Sequence, residues 1–72
     1  MSEYQPNTGE RLRRLREKLW LTQVQLAKRA GVCPRTVQTA EGGGGVSIPT
    51  RRKLLLALGI PFERRGEVFG DD

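Results

Sequence analysis

Histidine is absent from this 72-residue sequence, and cysteine occurs once, as Cys33. A lone cysteine cannot close an intramolecular disulfide, and without histidine the chain lacks the other common transition-metal ligand. Catalysis by a nucleophile with a histidine base is excluded as well. We therefore expect no metal, no cofactor and no catalytic residues, and a fold stabilised by an apolar core.

Long apolar runs are also missing. The longest, Leu54 to Leu58, is far shorter than the roughly 20 residues that span a bilayer. The N-terminus does not pair a charged start with an apolar stretch, as a signal peptide does. We expect a cytoplasmic protein that binds no membrane.

Basic residues are abundant and unevenly distributed. Residues 1–40 carry eight Lys and Arg against three Asp and Glu, whereas residues 41–72 carry five of each, which places the whole net charge of +5 in the first part. A basic half is typical of a protein that binds a polyanion. An ordinary arginine-rich, solvated surface would give the same count.

Periodicity and capping residues predict four or five short helices and no strands. Residues 1–8 form a flexible polar arm, Thr8 caps a first helix, and Thr22 caps a second helix that Gly31 ends. Pro34 opens a third helix that runs to about Glu41. The expected core residues of these helices are Leu12, Leu15, Leu19, Leu26, Ala27, Ala30, Val37 and Ala40.

The second half continues the helical pattern. Residues 42–45 are all glycine and predict a loop. Ser47 or Pro49 begins a fourth helix that Gly59 ends, and residues 62–69 predict a short fifth helix. The expected core residues of the fourth helix are Leu54, Leu55 and Leu58.

Three residues have the spacing that a helix-turn-helix requires. Ala27 allows two helices to cross closely, Gly31 makes the turn four residues later, and Val37 fills the angle between the helices. Each of these residues is common alone, but together, between two capped helices, they predict this motif.

The segment LTQVQLAKRAGV, followed by TV and AEGG, resembles the phage-repressor and Cro type of helix-turn-helix, also called the xenobiotic-response-element family. The resemblance extends over residues 9–60. It implies an all-α, lambda-repressor-like bundle over residues 9–69, with a tail at 70–72. It also implies that the third helix enters the major groove of double-stranded DNA.

The resemblance assigns the outward face of the third helix to base contacts. Arg35 has the donors for guanine O6 and N7, and Gln38 suits adenine N6 and N7. Thr39 could meet a thymine methyl. Pro34 stands where several family members read a base with an amide side chain, so this readout is lost or becomes an apolar contact. The alternative for these side chains is an ordinary solvated helix face.

The same resemblance assigns five side chains to DNA phosphates. Gln23 stands at the start of the second helix, where free amides favour an anion, although it could be simply a good helix residue. Arg16 is also expected to pair with Glu41 and so to orient the third helix; the alternative is two unrelated surface charges. The predicted phosphate contacts are Gln23, Thr36, Arg11, Arg13 and Arg16.

Trp20 and Cys33 also depart from the family pattern. Trp20 stands where a glycine commonly ends the first helix, and it either packs over the edge of the core or forms an exposed contact surface. Cys33 stands where serine or threonine is usual, and we expect it to be a buried or half-buried structural thiol.

These observations favour a non-enzymatic transcriptional regulator, a repressor that binds DNA as a homodimer. The alternative is an antitoxin-like or adaptor protein whose main role is to bind a protein partner. Such a partner could use the apolar residues Phe62, Val68 and Phe69.

Overall fold

The computed structural model describes residues 8–69, and within that range it contains five α-helices, one 3₁₀ turn and no strand. The predicted all-α fold is therefore confirmed. The predicted arm and tail lie outside the described residues, apart from Thr8. The elements are α1 (Thr8–Lys18), α2 (Gln23–Ala30), α3 (Pro34–Glu41), α4 (Ile48–Ala57), the 3₁₀ turn (Phe62–Arg64) and α5 (Gly66–Phe69).

Local capping explains where α2 begins and ends. The Thr22 hydroxyl accepts a hydrogen bond from the backbone N–H of Gln25 at 3.0 Å, and the Gln25 side chain accepts one from the N–H of Thr22 at 2.8 Å. This reciprocal capping box satisfies two amides that the helix itself cannot use. At the other end, Gly31 adopts a left-handed φ of 74°, as predicted for a residue without a Cβ.

The starts of α3 and α4 also follow the prediction. Pro34 is in the first turn of α3, where its missing N–H costs no hydrogen bond. Ser47 caps α4 by accepting from the N–H of Thr50 at 3.4 Å. On the first helix the prediction is one residue late, because α1 already includes Thr8.

The helices enclose one apolar core. α2 and α3 cross in contact with each other, α1 packs against α3, and α4 packs against α2. Leu19 is an exception to the predicted core: its exposed fraction is 45%, because α1 ends at Lys18 and the chain turns away from the stripe. The buried apolar residues are Leu12, Leu26, Ala27, Val37, Ala40, Leu54, Leu55, Leu58, Val68 and Phe69.

The C-terminal segment is not a single helix. It is divided into the 3₁₀ turn and the four-residue α5, and Val68 and Phe69 are buried in the core. The predicted partner surface on Phe62, Val68 and Phe69 is therefore wrong for two of its three residues, and Phe62 itself is half-buried.

Candidate nucleic-acid interface

The helix α3 presents two different faces. Val37 and Ala40 are buried against the other helices. Pro34, Arg35, Gln38 and Thr39, the predicted base contacts, are all exposed, whereas Thr36 is half-buried. The buried face fixes the helix in the domain, so the exposed face is presented as a rigid row of side chains.

An ion pair anchors the C-terminal end of α3 to α1. Arg16 Nε donates to Glu41 Oε2 at 2.6 Å and Nη2 donates to Oε1 at 3.0 Å, so the pair is bidentate. Only 11% of the Arg16 side chain and 4% of the Glu41 side chain are exposed. The hydrogen bond to Glu41 raises the pKa of Arg16, although burial opposes this.

Arg16 has a further bond that bears on its second expected role. Its Nη1 donates to the backbone carbonyl of Leu21 at 2.7 Å, which ties the α1–α2 turn to the same guanidinium. All three guanidinium nitrogens are therefore engaged within the domain. Arg16 therefore supports α3, and few of its N–H groups remain for the predicted phosphate contact.

Gln23 joins the same network. Its Nε2 donates to Glu41 Oε1 at 3.2 Å, which links the first residue of α2 to the last residue of α3. Gln23 is half-buried. The bond holds the side chain beside the N-terminus of α2, where the partial positive charge of the helix favours an anion.

Two glycines fit the backbone closely around α3. A Cβ on the buried Gly9 would meet the carbonyl oxygens of Glu41 and Ala40, so the start of α1 rests directly on the end of α3. A Cβ on Gly44 would lie 2.7 Å from the Cγ2 methyl of Thr39, so the glycine loop closes over the last turn of α3.

The two predicted phosphate arginines of α1 lie on different sides of that helix. Successive residues are about 100° apart around a helix axis, so Arg13 lies about 60° from Arg16 and about 40° from Gly9, both of which contact α3. Arg11 is about 140° from Arg16 on the other flank of the core stripe. Arg13 is exposed, with a loose 3.9 Å ion pair to Glu17, and Arg11 is half-buried.

The structure shows the environment of Cys33 and Trp20, two residues that depart from the family pattern. Cys33 is exposed, and its side chain makes no capping hydrogen bond at the N-cap of α3, so the expected buried thiol is wrong. Trp20 is 91% exposed and has a φ of 59°. The backbone therefore has the left-handed conformation that is typical of glycine, and tryptophan adopts it at a cost.

Residues 8–69 carry neither a cluster of metal ligands nor a membrane-spanning helix. No group of three His, Cys, Asp or Glu side chains there could hold a metal ion. None of the helices described has both the length and the apolar character needed to cross a membrane.

Comparison with known families agrees with the geometry. A family model described as a helix-turn-helix domain matches residues 8–67, which include every helix except the end of α5. The chain belongs to the helix-turn-helix family. Neither a curated protein nor a solved structure matches it. Membership of this family agrees with the Cro-type resemblance and indicates a DNA-binding regulator.

Sequence reasoning missed three residues that hold this helix-turn-helix together. The Gln25 half of the capping box was visible in the spacing of Thr22 and Gln25, since threonine followed three residues later by glutamine is its signature. The close approach at Gly9 and the carbonyl acceptor of Leu21 had no such signal, because both depend on how distant segments pack.

Proposed function

We propose that this protein is a sequence-specific transcriptional regulator, a repressor, that binds double-stranded DNA as a homodimer and reads the major groove with α3. One observation carries the proposal. The exposed row of Arg35, Gln38 and Thr39 stands on a helix that is held by a buried face and by the Arg16–Glu41 pair. Rigid support of exposed donors and acceptors is what base readout requires.

Phosphate contacts would set the register of α3 in the groove. Gln23 has two amide hydrogens, and the bond to Glu41 uses one, which leaves a donor for a phosphate beside the N-terminus of α2. Thr36 and Arg13 complete this set, whereas Arg11, on the other flank of the core stripe, is left out of it.

The proposal is tested by selecting bound sequences from a random duplex library with the purified protein. A homodimer should select a two-fold symmetric site whose half-sites are about one helical turn, 10–10.5 base pairs, or a multiple of it apart. A selected sequence without symmetry would contradict the dimer, and the absence of any selected sequence would contradict specific readout.

The Arg35→Ala variant tests the role of α3 on the selected site. We expect a loss of about 1–3 kcal/mol and a relaxed choice of base at one position per half-site, since alanine cannot contact both guanine acceptors. Thermal stability should be unchanged because Arg35 is exposed. Lys28→Ala, an exposed cation on α2 outside the predicted contacts, is the matched control and should keep the preference. Equal affinity and base preference in Arg35→Ala and the parent would remove α3 from the reading role.

A further inference from the structure

A concavity of about 610 Å³ with a mixed apolar and basic lining lies between the C-terminal ends of α1, α2 and α4, and none of the predicted DNA contacts lines it. We call it the leucine groove. Its charged lining comes from Arg29 and Lys53, and the rest of its lining comes from Leu19, Ala30, Leu56, Ala57, Leu58 and Gly59.

The apolar side chains of the leucine groove are available to a partner. Leu19 is 45% exposed and Leu56 is 64% exposed, although both are large apolar residues in a domain with a well-filled core. Trp20 follows Leu19 directly and is 91% exposed. Its left-handed backbone is unfavourable for a tryptophan, and such strain is concentrated at functional positions. Two large apolar side chains, Leu19 and Leu56, are thus exposed in the concavity, and the exposed Trp20 is the sequence neighbour of one of them.

The charge of the leucine groove indicates what would bind there. Both charged lining residues, Arg29 and Lys53, are basic, and no acidic residue contributes to the lining. Lys18 adds another cation next to Leu19. A second copy docked groove to groove would bring these cations together, which is unfavourable. An occupant with acidic residues flanking apolar ones would complement both features.

We propose that the leucine groove binds an acidic amphipathic helix of a partner protein. Leucine or aromatic side chains at positions i, i+3 or i+4 and i+7 of that helix would fill the groove, and its carboxylates would meet Arg29 and Lys53. The proposal does not depend on the DNA-binding function, because the two sets of residues are separate.

A library of displayed 16-residue helical peptides, randomised at all surface positions of the helix, tests the proposal. Peptides are selected on the parent protein, and those that also bind Leu56→Gln are removed. Ile48→Gln is the matched control, since Ile48 lies on the same helix, is 63% exposed and is outside the groove. The selected peptides should be acidic and carry the i, i+3 or i+4, i+7 apolar pattern.

Binding of one selected peptide is then measured by the fluorescence of Trp20, the only tryptophan of the chain. Leu56→Gln should weaken binding about fivefold or more, as expected for a central apolar contact, and Ile48→Gln should leave it unchanged. Arg29→Gln should weaken binding at low salt, whereas Lys28→Gln on the same helix should not. All variants should keep the parent melting temperature, and Leu56→Gln and Ile48→Gln, which do not change the net charge, should keep the parent affinity for DNA.

Four results would overturn the proposal. One is the selection of only neutral or basic peptides, and another is the absence of any peptide whose binding depends on Leu56. A third is self-association of the parent protein that Leu56→Gln abolishes, which would make the occupant a second copy. The fourth is binding to phosphatidylglycerol vesicles that requires Leu56 while no peptide binds, which would make the occupant a lipid surface.

Discussion

At the residue scale, burial distinguishes two ion pairs that have the same shortest distance. Arg16–Glu41 and Arg64–Glu67 both bring Nε within 2.6 Å of a carboxylate oxygen. The first pair is nearly enclosed, whereas the side chains of the second are 62% and 54% exposed. Removing one partner of an enclosed pair leaves the other charge uncompensated, but water replaces a lost partner at the surface.

Glu41→Ala should therefore destabilise the domain by about 3 kcal/mol and lower the Tm by about 12–24 °C. Glu67→Ala should leave the Tm nearly unchanged at neutral pH. The hydrogen bond to Arg64 lowers the pKa of Glu67, so its small contribution is present above the ordinary glutamate pKa and is lost as the pH falls through the lowered value. Thermal melting followed by circular dichroism measures both variants, and equal shifts would show that enclosure does not matter here.

The backbone strain at Trp20 gives a second prediction at this scale. Glycine relieves a left-handed conformation that costs other residues about 1–2 kcal/mol, although it also raises the entropy of the unfolded chain by about 0.5–1 kcal/mol. Trp20→Gly should therefore stabilise the domain by up to about 1.5 kcal/mol and raise the Tm by up to about 12 °C. Trp20→Ala keeps the strain and is the control. A Trp20→Gly variant no more stable than Trp20→Ala would mean that the turn relaxes without glycine.

At the scale of elements, the sequence predicts what adjacent residues determine. The starts at Thr22, Pro34 and Ser47 were predictable because a cap and the amides it satisfies are within three residues of each other. Leu19 was wrongly assigned to the core because the apolar periodicity continues past the end of α1. The 62–69 segment was wrongly predicted as one helix because the packing of Val68 and Phe69 decides where the chain bends.

The site was predictable to a similar extent. The outward face of α3 follows from the helical period once Val37 and Ala40 are assigned to the core. The bond from Gln23 to Glu41 and the leucine groove could not be predicted, since each joins residues from separate helices whose relative position depends on the whole core.

The contact between α1 and α3 can be tested with two helical glycines. A Cβ at Gly9 would overlap the backbone of Glu41, which cannot rotate away, whereas a Cβ at Gly66 would meet nothing within 4 Å. Gly9→Ala should cost about 1–3 kcal/mol through overpacking, and it should also weaken DNA binding by displacing the end of α3. Gly66→Ala should be neutral or slightly stabilising. Urea denaturation compares the two, and a neutral Gly9→Ala would show that the helices can separate freely.

At the scale of the whole molecule, the two proposed binding surfaces have separate locations and separate chemistry. The DNA surface comprises the exposed face of α3 and the N-terminus of α2, and the leucine groove uses the C-terminal ends of α1, α2 and α4. The net charge of +5 favours approach to DNA from a distance, but it does not identify the cations that touch phosphates.

The salt dependence of DNA binding identifies the cations that contact phosphates. Each phosphate that a cation neutralises releases counterions. The plot of log K for DNA binding against the log of salt concentration therefore becomes less steep by about one when that cation is removed. Arg13 lies on the side of α1 that contacts α3, and Arg11 lies on the other flank of the core stripe. Arg13→Ala should therefore reduce the slope by about one and weaken binding to all sequences alike, whereas Arg11→Ala should leave the slope unchanged. The two variants have the same net charge as each other, so a difference between them cannot come from the net charge. A reduced slope in Arg11→Ala alone would mean that DNA approaches α1 from the flank opposite Arg13.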